Sequence, residues 1–209
     1  MKPMLLAAGA AVLLMGSSAA ADAVRDKGLA AIEAWEAGRP EDAITLFQEA
    51  IGVIQGGTEA GLSRALPDRA GEYVGGEVES ASGTWGSGAK SVPWISATRR
   101  YEVPGTGRRV AVTLSTSPEL VRAQRAKLAT YDDPETLATM NTAPGRKVEL
   151  VAESGFRGWT TVEAGKEAHM TAVGEKLLMT IDVPDGDAAA LAAFRAAIPL
   201  SRLVRLDGR

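Results

Sequence analysis

The sequence predicts an α+β protein: an N-terminal helical hairpin followed by a largely antiparallel, six- to seven-stranded sheet flanked by helices. Three observations carry this. Apolar residues recur at helical spacing over 24–55. Short strand-like segments separated by Gly turns fill 146–183. Helix starts fall after the third strand and at the end, not between every pair of strands, which argues against a doubly wound parallel sheet.

The first element is a leader. Lys2 supplies a positive start, Met4–Met15 an apolar run, and Ser17–Ala23 small residues that allow cleavage after Ala21 or Ala23. Twelve apolar residues span only about 18 Å as a helix, against roughly 30 Å of hydrocarbon core. The expected product is soluble, periplasmic or secreted, with no stable membrane anchor after cleavage. The domains read as 1–22 signal peptide, 23–57 helical hairpin and 58–209 α+β domain.

Composition excludes more than it assigns. The 209 residues carry 23 Lys+Arg, 26 Asp+Glu, one His and no Cys. Disulfides, Cys nucleophiles and His-cluster metal sites are ruled out. The acidic balance argues against a nucleic-acid partner. No cofactor signature is present.

Residues 24–37 and 40–55 read as the two hairpin helices. Ala43, Ile44, Phe47, Ala50, Ile51 and Ile54 form one apolar stripe on the second. Gly38 ends the first helix, Pro40 starts the second, and Glu41 and Asp42 sit at its positive dipole end. Gly56 and Gly57 are expected to break it. Ala31, Gly38, Ala43, Phe47 and Ala50 stand at the small/Gly/Ala/aromatic/Ala spacings of a single tetratricopeptide repeat, which residues 24–55 resemble. Lys27 and Trp35 depart from that pattern, and no second copy follows. In that family such hairpins bind peptides or proteins.

A short helix over 58–66 stops at Pro67. Strands follow at 72–80, 91–103 and 108–115, the last two a hairpin across Pro104–Gly107. Ser117-Pro118-Glu119 and Asp133-Pro134-Glu135 start helices over 118–129 and 134–140. Strands at 146–152, 156–163, 166–173 and 176–183 run as a meander. Asp187 caps a helix over 188–198, and a last turn covers 200–206. This order is similar to the photosystem extrinsic-subunit (PsbP-like) layout. It also resembles a loose class of small exported bacterial proteins of unassigned function that share the Leu66-Pro67 start and a closing amphipathic helix.

Candidate chemistry is sparse. Gly83–Ser91 approaches a phosphate-binding loop, but Ala89 separates Gly88 from Lys90 and no helix follows. Ser87 and Lys90 fit an S-x-x-K pair, yet Ser87 is flanked by Gly and no K-T-G partner exists. His169 alternates with Ala168 and Met170 beside Thr171, with no nucleophile or carboxylate nearby in sequence. Asp132, Asp133 and Glu135, and Asp182, Asp185 and Asp187, read as helix starts and turns. Trp35 and Trp85 are the candidate partner-binding aromatics. Arg99 and Arg108, with Arg100 and Arg109, sit on facing hairpin arms as a candidate contact patch. The expectation is an exported, non-catalytic binding or accessory protein with a protein partner in the cell envelope. The alternatives are a carrier of a small apolar ligand, in a cavity left by Ala111, Ala168, Ala172 and Leu178, and a carboxylate-based hydrolase using Asp182 or Asp133.

Overall fold

A computed structural model gives the architecture. It describes the backbone of residues 8–86 and 91–208, and side chains from residue 19 onward. Two long helices open the chain, α1 (Ala8–Glu36) and α2 (Pro40–Ala65). Lys2 lies outside the described residues, and α1 runs unbroken past Ala21 and Ala23. Among the described residues no helix is long and apolar enough to cross a membrane. Gly38, at φ 72°, makes the turn between the helices. Ala31, Ala34, Ala43 and Ala50 are buried, and Lys27 pairs with Glu49 from one helix to the other.

Helix α2 corrects the sequence reading. Gly56 and Gly57 do not stop it; it absorbs the expected short helix and ends at Ala65. Exposed Gly costs a helix about 1 kcal/mol each. That cost is outweighed downstream, where Leu62 is fully buried. The chain divides inside α2, after Thr58, into two compact units.

The second unit is built on one antiparallel sheet of eight strands, one more than the upper count expected. The strands are β1 (Arg69–Ala70), β2 (Tyr73–Trp85), β3 (Val92–Glu102), β4 (Arg109–Ser115), β5 (Arg146–Glu153), β6 (Phe156–Glu163), β7 (Glu167–Val173) and β8 (Leu178–Val183). The additional strand is β1, whose two residues are too few to show a period. Between β4 and β5 lie α3 (Pro118–Tyr131) and α4 (Pro134–Met140); α5 (Ala188–Ala197) and α6 (Leu200–Leu203) close the chain. The spatial order is β1-β2-β3-β4-β8-β7-β6-β5. Two four-strand meanders therefore meet where β4 pairs with β8.

Helix starts follow their chemistry. Ser117, Asp133 and Asp187 each accept from a backbone N–H of the helix they open. The main core lies on one sheet face. Phe194 of α5 meets Tyr73 and Tyr101 edge-on, at centroid distances of 5.4 and 4.7 Å. Val112, Met179, Ile181 and Met170 fill the same layer. On the other face α3 and α4 cover Trp159 and Val148 with Leu128, Tyr131, Leu137 and Met140. Gly158 makes the β6–β7 approach possible: a Cβ there would overlap the Thr171 carbonyl.

Candidate functional site

The helical unit presents an apolar surface. Its helices meet through alanines, so the large side chains stay outside. Ile32, Trp35, Ile44, Phe47, Ile51 and Ile54 are 46–66% exposed. At 100° per residue from the buried alanines, all six fall on one side of the helix–helix seam. Leu29, also exposed, points away from the seam. Of the apolar stripe on the second helix, Ala43 and Ala50 are buried, while Ile44, Phe47, Ile51 and Ile54 lie open. Residues 22–58 carry seven acidic and three basic side chains, whereas 59–209 carry nineteen of each. Over residues 22–209 the acidic surplus falls entirely within the helical unit.

The remaining residues singled out in the sequence are engaged within the second unit. Trp85 ends β2 rather than sitting in a free loop, because β2 pairs with β3 as far as Trp85–Val92. Its ring lies 4.8 Å below the Arg122 guanidinium. Ser87 and Lys90 lie outside the described residues. Arg99 donates to the carbonyls of Gly76 and Leu66 and pairs with Asp68 at 2.7 Å. Arg108 pairs with Glu72 and Asp187 and stacks over Tyr73 at 5.2 Å. Arg100 pairs with Glu79. Ala168 and Ala172 are buried in the packed core, and Ala111 lies on the opposite face. Asp133 is occupied as the cap of α4. Tyr73 and Tyr101 bury hydroxyls that have no hydrogen-bond partner among the described residues. Burial pushes the Tyr101 phenol up to about 12, against the opposing pull of Arg99.

Sequence reasoning missed a relay around His169. Cross-strand register sets His169 opposite Asp182, and a two-residue step along β7 sets it beside Thr171. Asp182 Oδ1 lies 2.6 Å from Nδ1, and Thr171 Oγ1 lies 2.6 Å from Nε2. No carboxylate stands near His169 in sequence, but strand pairing brings Asp182 across from a distant part of the chain. The order carboxylate–imidazole–hydroxyl matches the logic of an activated nucleophile. Its third member is misplaced for that work. Thr171 is 1% exposed and does not line the adjoining cleft, so no acyl carbon reaches its oxygen. The relay fixes the imidazole as a wall.

That wall belongs to a cleft of about 220 Å³ between α3 and the sheet, lined by Lys127, Tyr131, Arg146, Trp159, Thr161, Glu167 and His169. Local chemistry places each group. Gly145, at φ 76°, turns the chain into β5, and Asn141 clamps Val148 through its N–H at 2.7 Å and its carbonyl at 3.2 Å. Arg146 is thereby held at the cleft's edge. Tyr131 meets Trp159 edge-on at 4.8 Å. The Lys127 ammonium lies 5.2 Å from the Trp159 centroid and 5.9 Å from that of Tyr131. A larger cleft of about 430 Å³ lies beside it, but its cations are already engaged. Arg125 donates to the carbonyls of Gly174 and Glu175, and Arg157 pairs with Asp132. Among the described residues no group of three or more His, Asp or Glu is placed to hold a metal.

The chain matches no family model, no curated protein and no solved structure at a significant level.

Proposed function

We propose that this is an exported, non-catalytic binding protein that works in the cell envelope by docking a partner protein on its helical unit. One observation carries the reading: six large apolar side chains stand about half exposed on one side of two helices. At roughly 150–250 Å² per large side chain, they leave on the order of 600 Å² of apolar surface. That approaches the ~800 Å² one partner contributes to a standard interface. The apolar face suits the apolar stripe of an amphipathic helix, and the acidic balance of the helical unit as a whole, seven acidic residues against three basic ones, favours a partner segment of net positive charge. The resemblance of 24–55 to one tetratricopeptide repeat, and the leader-like residues 1–22, support the same reading.

The test uses immobilised protein comprising residues 22–209 and an envelope extract from the native source. A captured protein is identified by mass spectrometry, purified, and its affinity measured. The expected Kd is about micromolar or tighter, weakened roughly tenfold or more by Phe47→Asp and also weakened by added salt. A folded bait that captures nothing, or binding indifferent to Phe47→Asp and Trp35→Ala, overturns the reading.

A further inference from the structure

We propose that the cleft between α3 and the sheet is a binding site for a small oxyanion, a carboxylate or phosphate group, held by Arg146, Lys127 and Thr161. The proposal concerns the second unit and stands independently of the helical face. Its starting point is an imbalance. Arg99, Arg100, Arg108, Arg125 and Arg157 each have a carbonyl or carboxylate partner. Arg146 instead buries its Nε with no acceptor among the described residues. A buried guanidinium N–H without an acceptor is uncommon in a folded protein.

The neighbouring carboxylates do not relieve it. Glu163 stands opposite Arg146 in the β5–β6 register, but its side chain pairs with Lys166. Glu167 lines the cleft yet is exposed, and forms no ion pair with Arg146 or Lys127. Lys127 rests on the faces of Trp159 and Tyr131, which orient an ammonium without neutralising it. Thr161 adds a hydroxyl to the same wall. With two cations against Glu167, the lining keeps one positive charge in excess.

Arg146, Lys127 and Thr161 put donors from three side chains on one lining that holds a single carboxylate, which fits a group with several acceptor oxygens and negative charge. The size agrees. A cleft of about 220 Å³ is below the ~300–1,000 Å³ range of drug-sized sites, so it suits a small anion or the acidic end of a longer molecule. His169 contributes shape only, since both its nitrogens are engaged by Asp182 and Thr171.

The test is an NMR titration of ¹⁵N-labelled protein with inorganic phosphate and, separately, with acetate, at constant ionic strength set by chloride. The signals followed are the Arg146 Nε–H, the Trp159 indole N–H and the Thr161 amide. At least one anion should give saturable shifts at all three, with a Kd of about a millimolar or below. The anion that saturates identifies the ligand chemistry. Arg146→Gln and Lys127→Gln should each weaken binding, the former by roughly tenfold, while Arg100→Gln leaves it unchanged. Lys127 is exposed on α3, so its variant remains informative should Arg146→Gln fail to fold. Shifts that do not saturate with either anion, or that survive both cleft substitutions, overturn the proposal.

Discussion

The two units place their large side chains in opposite positions. In the sheet unit Phe194, Tyr101, Met170 and Ile181 are inside, and small or charged groups face water. In the helical unit Ala31, Ala34, Ala43 and Ala50 are inside, and Trp35, Phe47 and three isoleucines of α2 face water. A helix pair that closes on alanine brings its backbones near each other but buries little apolar area. The first arrangement satisfies itself; the second leaves its hydrophobic driving force to another surface. Residue type alone does not distinguish them, because both contain the same aliphatic and aromatic side chains.

Substitutions sharpen the contrast. The largest effect is expected at Gly158, where a Val side chain collides with the Thr171 backbone. Gly158→Val should cost more than about 4 kcal/mol and leave little folded protein at 37 °C, read by denaturant unfolding. Phe194→Ala comes next, at roughly 3–5 kcal/mol, because it empties the contact between Tyr73 and Tyr101. A loss under 1 kcal/mol there would break the comparison.

Asp187→Ala should cost about 1 kcal/mol by uncapping α5. The backbone N–H of Ala190, aided by Arg108 and Ala189, holds the Asp187 carboxyl below its ordinary value, although burial opposes this. Its stabilising contribution is therefore present above about pH 4 and is lost as pH falls through the lowered value. Acid titration of unfolding should show wild type losing this increment below pH 4, with Asp187→Asn lacking that step. The smallest effect is expected for Phe47→Ala, within about 0.5 kcal/mol in the isolated protein, since half the ring is already in water. Phe47 and Phe194 are thus the same substitution with opposite consequences: one tests docking, the other folding.

Local chemistry made much of the sheet unit legible. Ser117, Asp133 and Asp187 announced three helices, and the turns at Ser154-Gly155 and Ala164-Gly165 announced the β5–β7 meander. What escaped was non-local. Two Gly residues read as a stop because Leu62, which repays their cost, sits a further turn along. The apolar stripe of the second helix was legible as a stripe but not as open, because period reports which residues share a face, not what covers that face. The His169 relay and the cleft escaped for one reason: Asp182, Arg146 and Lys127 come from separate elements, and only strand register and the seat of α3 bring them near.

The seam between β4 and β8 has a kinetic consequence. Each meander can form from neighbours in sequence, but Ser115 meets Leu178, and Ala111 meets Asp182, only after α3, α4 and three strands have been passed. Loop-closure entropy is concentrated at that one pairing. The two halves are thus preassembled parts waiting on a single encounter, and the rate of that encounter sets how long their edges, β4 on one side and β8 on the other, stay open to strands of other chains.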